Sequence, residues 1–547
     1  MTKNTRVRSS TTRKEIGRKR ITRKKPKGSP LPGAAISTLF LVLELWFFVR
    51  LMRLGMLPGK YMALIGAALV IAGVLVWFLC RNSAKLIRFS VGTLLALIIA
   101  GGLTHGTGLV DKLYNTVQEL IVETTEAKQV QLAVFVRQDD PAQALDALES
   151  DAFGIERSNN RDETDKTLNE IATELETHLL IKEYDGFIPA LRGLLDGEVR
   201  AAVLEADVLE MAAEMLEDRG DLHTLLRQIS AYHVEKETVS THHASSTVPR
   251  TSGRYVIIGT TAKESEPTTA ETEPEQDENE LPDGPVWAPA IESTDESRIF
   301  TIYIQGIDSR RGLMAKSLSD VNILAVVNMN SKQVLLISTP RDYYVYFANT
   351  GQRDKLTHNG WGGVSALMET LRMLYGVKSN YYFRMDFKGF VRIIDAMGGV
   401  DVYVDRAFSA QGFSFSKGTQ HMSGTQALAF ARERYAFGGG DAIRGTHQME
   451  VIKAVLYKAM SSNLSTLLGS LGGAFETSMP YDTISSAAAS LLSGGWNVVS
   501  YNVGGRGSSE YSPAIGGNAY VMWPDQSTVN YARSLIRRVY NGERVSP

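Results

Sequence analysis

The sequence predicts an α/β protein carried on membrane-spanning helices, with a small α/β domain preceding a larger one layered on a sheet core. Three observations predict it. Three long apolar stretches crowd into residues 33–106. An acidic, proline-bearing stretch at 259–297 divides the chain beyond those spans into two bodies. Beyond residue 298, short apolar runs alternate with amphipathic segments, as strands and helices packed in layers require.

The 547 residues carry 58 Lys+Arg against 60 Asp+Glu, a formal net of −2. That balance conceals a split. Residues 1–28 hold twelve basic side chains and one Glu, so the remainder is mildly acidic, unlike a protein basic throughout for nucleic acid. A single cysteine, Cys80, excludes an internal disulfide framework and an all-cysteine metal site.

Residues 1–32 read as a basic cytoplasmic tail. Gly33–Leu54, Met62–Cys80 and Phe89–Gly106 each approach the ~20 residues that cross a bilayer. Glu44 in the first requires a partner or a shallow position, while Arg50 and Arg53 can snorkel to the interface. Spans two and three come at once after the first, which argues against a cleaved leader. The tail, together with Arg81, Lys85 and Arg88 between spans two and three, orients the N-terminus inward. Three crossings then put everything after about residue 107 outside the cell.

Residues 107–127 read as a helical stalk and 128–258 as a small α/β accessory domain. Strands are expected at Val130–Val136, Ala201–Leu204 and Tyr255–Ile258, and helices at Pro141–Glu149 and Thr164–His178. Its histidines lack ligand spacing. Residues 264–296 carry twelve Asp/Glu, no Lys/Arg and five prolines, and so predict an extended, disordered tether.

The last domain spans 298–547. "FTIYIQGID" is a strand ending at Asp308; "DVNILAVVNM" and "QVLLIST" are two more, joined by a tight turn. "GGVSALMETLRMLYG" and "FKGFVRIIDAMGG" are amphipathic helices, "VDVYV" is a strand, and Ser423-x-x-Gln426 has the capping-box spacing. "GGWNVVSYNVGG" and a final helix "QSTVNYARSLIRRVY" form a folded extension of unassigned role.

Asp308 and Asp320 stand at the ends of neighbouring strands, where two carboxylates converge on a hard cation or simply serve turns. Arg341 comes directly after a strand. Arg432 and Arg434 share one face if "ARERY" is extended, and Arg444 comes after a flexible "GGGDAI" turn. Several guanidiniums suit a pyrophosphate. No nucleophile elbow, no phosphate-binding lysine loop and no zinc spacing at His358, His421 or His447 accompanies them. Phosphoryl transfer tolerates that, since positioning and charge neutralisation carry most of its catalysis.

The motifs "YIQGIDSR", "SLSDVNILAVVN", "ISTPRDYYV", "DKLTHNG", "YYFRMDFKGFVRIIDAMGGVDVYV", "KGTQHMSGTQALAFARERY" and "GDAIRGTHQMEVIKAV" together resemble the LytR-CpsA-Psr family. The three spans and accessory region resemble its CpsA-like branch, and the glycine-rich "AFGGG" before Asp441 is a departure. The resemblance implies an α/β/α domain with a central mixed sheet. It implies an enzyme that moves a glycopolymer, such as teichoic acid or capsular polysaccharide, from a polyprenyl-pyrophosphate carrier to peptidoglycan. Asp308 and Asp320 match its magnesium aspartates, with manganese an alternative. Arg341, Arg432, Arg434 and Arg444 match its pyrophosphate arginines, with Gln448 beyond them. Phe387, Phe390 and Ile394 would line a lipid pocket or serve as plain core. Asp441 or Asp342 would act as base, although Asp342 could instead pair with an arginine. A protein that only holds or hydrolyses the lipid carrier uses the same set; a transcriptional regulator is disfavoured by the outward body and the lack of a helix-turn-helix.

Overall fold

The computed structural model describes residues 31–55, 57, 59–81, 85–120, 129–157, 160–212, 215–216, 219–235, 255–260, 287–292, 295–307, 316–434, 440–461 and 474–546. The basic tail and Asp308 lie outside this set, as do residues 435–439 of the glycine-rich loop.

Helices α1 (Leu31–Leu54), α2 (Gly59–Cys80) and α3 (Leu86–Leu120) contain three segments long and apolar enough to cross a membrane. α3 runs unbroken past the expected end at Gly106, so the third span and the start of the expected stalk are one helix. Glu44 is buried against α2, where Gly73 makes room: a Cβ there would come within 2.7 Å of its carboxylate.

The smaller domain is a six-stranded sheet of β1 (Gln129–Arg137), β2 (Ala152–Glu156), β3 (Leu179–Tyr184), β4 (Ala201–Glu205), β5 (Leu226–Glu235) and β6 (Tyr255–Thr260), in the order β5-β1-β4-β2-β3-β6. Helices α4 (Arg161–Glu174), α5 (Phe187–Leu195), α6 (Val208–Ala212) and α7 (Leu222–Leu225) connect them. The expected helix at Pro141–Glu149 shrinks to one 3-10 turn, Leu145–Leu148. The Asp140 carboxylate accepts the Ala142 N–H at 2.8 Å, a local bond that competes with a helix start. The end of the expected tether is also corrected. Ala288 N–H donates to Met373 and Ile291 N–H to Gly376, at 2.9 and 2.6 Å, because Ile291 is buried in the larger domain's core. Residues 261–286 of that stretch lie outside the described set.

In chain order the larger domain contains β7 (Ile299–Ile307), β8 (Ser319–Asn328), β9 (Gln333–Ser338), β10 (Tyr344–Tyr346), β11 (Arg353–Lys355), α8 (Gly363–Tyr375), β12 (Tyr381–Asp386), α9 (Phe387–Ala396) and β13 (Val400–Val404). Next come β14 (Phe408–Ala410), β15 (Phe413–Phe415), β16 (Gly418–Met422), α10 (Gly424–Arg432), α11 (Gly440–Ser461), β17 (Glu476–Thr477), α12 (Tyr481–Leu492), β18 (Asn497–Asn502), β19 (Gly505–Ser512), β20 (Gly517–Pro524) and α13 (Gln526–Tyr540). Its central sheet has the mixed order β17-β12-β7-β8-β9-β18. Both faces are covered. Leu324 and Val326 of β8 pack into one core with Leu371 of α8 and Leu535 of α13. Ile323 and Ala325 pack into the opposite core with Met449 of α11 and Ile484 of α12. Burial on both faces explains the unbroken apolar run of β8. The C-terminal extension supplies strand β18 and helix α13, so it completes the layers.

Candidate functional site

β9 runs antiparallel to β8, and β8 antiparallel to β7; β12 is parallel to β7 and β18 to β9. The C-terminal ends of β7, β9, β12 and β18 therefore meet at one edge with the start of β8. The β7–β8 register slips there: Gly306 faces Val321 and Ile307 faces Ser319, leaving Asp320 as the extra residue. Such a bulge re-aims a side chain. The Asp320 carboxylate lines a polar pocket and forms an ion pair with the Arg341 guanidinium. Asp308 comes directly after β7 in the chain but lies outside the described residues.

Arg341 is held just beyond β9, where its carbonyl accepts the Thr357 N–H at 2.9 Å. Arg444 and Gln448 lie one turn apart on α11 and line the same pocket, as does Asn502 at the end of β18. The expected turn before Arg444 is helical from Gly440. α11 crosses the sheet edge closely at Gly445, where a Cβ would meet the Ser338 hydroxyl at 3.0 Å and the Asn502 side chain at 3.1 Å. Asp441 is the second residue of α11.

An apolar pocket adjoins the polar one, and Gln448 lines both. Phe387 and Phe390, on the first turn of α9, face it together with Val321 and Ile452. Asp386 caps that helix by accepting the Gly389 N–H at 2.6 Å. Arg432 sits at its rim, with its guanidinium carbon 4.5 Å from the centre of the Phe387 ring. Arg432 is the last residue of α10 and Glu433 leaves the helix in an extended conformation, so the two arginines do not share one strand face. Arg434 is half-buried beyond it.

Two further residues are placed away from the pockets. Ile394 is fully buried among Val400, Val402 and Phe430. Asp342 is buried, with its carboxylate 3.8 Å from Arg341 Nε and 3.6 Å from Lys355 Nζ. Both are ion-pair distances.

Gln305 escaped sequence reasoning. It is 1 % exposed, lines the apolar pocket, and its side-chain oxygen makes no hydrogen bond among the described residues. The available signal was an amide inside the otherwise apolar strand "FTIYIQGI". Lys355, in "DKLTHNG", was equally unassigned.

The family described as the LytR_cpsA_psr family matches residues 254–532, reaching well past the motif-rich stretch into the C-terminal extension. A polyisoprenyl-teichoic acid–peptidoglycan teichoic acid transferase TagU of Enterococcus faecalis is 32% identical over 195 residues, covering 35% of this chain and 64% of the relative. A TagU of Oceanobacillus iheyensis is 30% identical over 252 residues, covering 44% of this chain and 76% of the relative. An X-ray structure of the Lin1025 protein from Listeria innocua aligns with 44% of this chain and 98% of its own, at 28% identity and a TM-score of 0.37. The chain thus spans under two thirds of the Enterococcus relative's length and three quarters of the Oceanobacillus one's. With half of its residues matched by one family and its polar and apolar pockets at one sheet edge, this chain belongs to the LytR_cpsA_psr family.

Proposed function

We propose that this protein transfers a glycopolymer from a polyprenyl-pyrophosphate carrier to a hydroxyl of peptidoglycan. One observation carries the reading: a pocket lined by Asp320, Arg341 and Arg444 meets an apolar pocket at Gln448. A lipid pyrophosphate has that division, an anionic head on an aliphatic tail. The free volume of the apolar pocket is only about 60 Å³, so admitting an isoprenoid chain requires Phe387 and Phe390 to yield.

Arg341 and Arg444 bind the pyrophosphate oxygens, and Arg432 stands at the lipid side. The acceptor hydroxyl oxygen forms a bond to the phosphorus bearing the glycan, and the bond from that phosphorus to the bridging oxygen breaks. Polyprenyl phosphate departs, its charge stabilised by the guanidiniums, and the hydroxyl proton passes to the Asp441 carboxylate. The product is a phosphodiester. The phosphoanhydride supplies the energy, so no nucleotide is required.

The donor set suits a hard cation. Asp320 contributes a carboxylate to a pocket that also carries the side-chain oxygens of Ser338, Thr339, Asn502 and Gln448 beside the Arg341 and Arg444 guanidiniums. Asp308 and Asp320 would hold Mg²⁺, or Mn²⁺ in its place, and the bound ion would withdraw charge from the pyrophosphate. Among the described residues no group of three or more His, Cys, Asp or Glu gathers for a metal. This reading therefore leans on Asp308.

The three apolar helices suggest membrane anchoring. We place the body outside the cell by the positive charge of the tail, where the carrier lipid and peptidoglycan would be its partners and no nucleic acid is engaged. The test uses the full chain in membranes, a polyprenyl-pyrophosphate oligosaccharide, peptidoglycan fragments and Mg²⁺. Glycan on the acceptor with release of lipid phosphate, both lost in Asp308→Ala and Asp320→Ala, is the expected result. Lipid bound but unchanged with every acceptor tried would sink the transfer reading.

A further inference from the structure

Away from the two pockets, the larger domain carries a second cleft of about 210 Å³, lined by Trp287, Tyr344, Tyr346, Arg353, Gln526 and Arg533 among others. One of its aromatic rings, Tyr344, is held by Trp523, which lies beside the lining. Trp523 donates its indole N–H to Glu510 at 2.8 Å, and Tyr344 meets the Trp523 ring edge-on at 5.1 Å. The Arg353 guanidinium lies 4.2 Å from the Tyr346 ring centre and 4.6 Å from that of Trp523. Trp287 closes one side and is 47% exposed.

The polar groups point to the ligand. Arg533 Nε is buried and makes no hydrogen bond among the described residues, leaving a donor without an acceptor at the cleft. Among the described residues the lining holds two guanidiniums and the Gln526 amide, which donates to Asn530 at 3.2 Å, and no carboxylate. A purely apolar occupant would leave the Arg533 Nε–H unsatisfied, at a cost that buried donors rarely bear. Aromatic faces stack on the C–H faces of sugar rings, and the planar donors beside them take ring-substituent oxygens.

We propose that this cleft is a second glycan-binding site, one that takes a strand carrying pyranosyl rings together with carboxylate or phosphate groups. The segment Arg341–Tyr346 leads from the polar pocket into the cleft and spans at most about 17 Å at about 3.3 Å per extended residue, since it begins in a turn where the Tyr343 N–H donates to the Pro340 carbonyl at 3.2 Å. The Met522 N–H donates to the Asp342 carbonyl at 2.7 Å and fastens the β20 side of the cleft to that segment. One glycan strand can therefore be held at the cleft while its end lies at the pocket. Binding at the cleft does not depend on turnover at the pocket.

The test measures binding by tryptophan fluorescence and calorimetry, with the full chain in detergent micelles. The probes are muramidase-released peptidoglycan fragments, a glycosylated poly(glycerol phosphate) and neutral chitohexaose. Saturable binding of either anionic probe, weakened about tenfold or more in Trp287→Ala and Arg533→Gln and restored in Trp287→Phe, is expected. Which anionic probe binds tells whether the acceptor strand or the transferred polymer occupies the cleft. Trp287 is exposed, so its removal leaves the fold intact, as circular dichroism will verify. Arg341→Ala should retain this binding. Binding lost in Arg341→Ala yet unchanged in the cleft variants, no saturable binding of any probe, or equal binding of chitohexaose would overturn the proposal.

Discussion

Arg341 and Asp320 form an ion pair at the mouth of the polar pocket, each partly exposed, so removing either costs little stability and leaves the other charge hydrated. Their cost is expected in the reaction. Arg341→Ala and Arg444→Ala each remove a donor aimed at developing phosphate charge. Each should lower transfer by about 10²–10³-fold, and in Arg341→Ala the melting temperature should change little, read from initial rates beside a thermal melt. Gln305 predicts the opposite balance. Its side-chain oxygen is buried without a hydrogen bond, so Gln305→Leu should stabilise the protein by about 1 kcal/mol while reducing transfer. A variant less stable and fully active would remove Gln305 from the site. At this scale the sequence exposed the charged residues through their motifs. It did not separate Asp342 from Asp320, because only the β7–β8 register slip and Lys355 make one a pocket residue and the other a buried pair.

Among the elements, α10 shows how local chemistry can be read ahead of structure. Ser423 accepts the Gln426 N–H while the Gln426 side chain accepts from Ser423, the reciprocal cap expected from Ser-x-x-Gln. That cap starts the helix whose last residue is Arg432. Ser423→Ala should cost about 1 kcal/mol in denaturant unfolding and loosen the Arg432 contact with Phe387. An unchanged midpoint would mean that tertiary packing alone sets the helix start. Other elements misled. The "GGGDAI" run carries turn residues, yet α11 begins at Gly440, because packing of Met449 and Val451 into two cores recruits the segment. β5, which alternates half-buried and exposed residues along its length, gave too weak a hydrophobic period to be recognised. Strands β7, β8 and β9 were plain because both of their faces are buried.

On the scale of the whole body, the two α/β domains are joined by contacts no local pattern reveals. Phe187 of the smaller domain meets Trp361 edge-on at 4.7 Å, Lys316 pairs with Glu205, and Arg192 donates to the Ile515 carbonyl at 2.8 Å. Behind Trp361 the His358 ring stacks on it, and Asp354 gathers His358, the Ser512 hydroxyl and the Ala514 N–H at 3.0, 2.7 and 2.9 Å. Residues about 155 apart in sequence thus meet on one carboxylate, out of reach of any periodicity argument. Burial pushes the Asp354 carboxyl up, but attraction from His358 and the hydrogen bonds outweigh it and hold the value below the usual 3.8. A depressed carboxylate stabilises the fold above its unfolded value, and that contribution disappears as pH falls through the folded value. Asp354→Asn should therefore be less stable than the parent by about 2 kcal/mol at neutral pH, with the gap constant down to about pH 4 and closing below it. Urea unfolding of both proteins from pH 7 to pH 3 measures this. A gap that widened on acidification would mean that the carboxylate is not the charged keystone of the junction. A gap absent at every pH would mean that the His358 and Ser512 contacts hold the domains together without it.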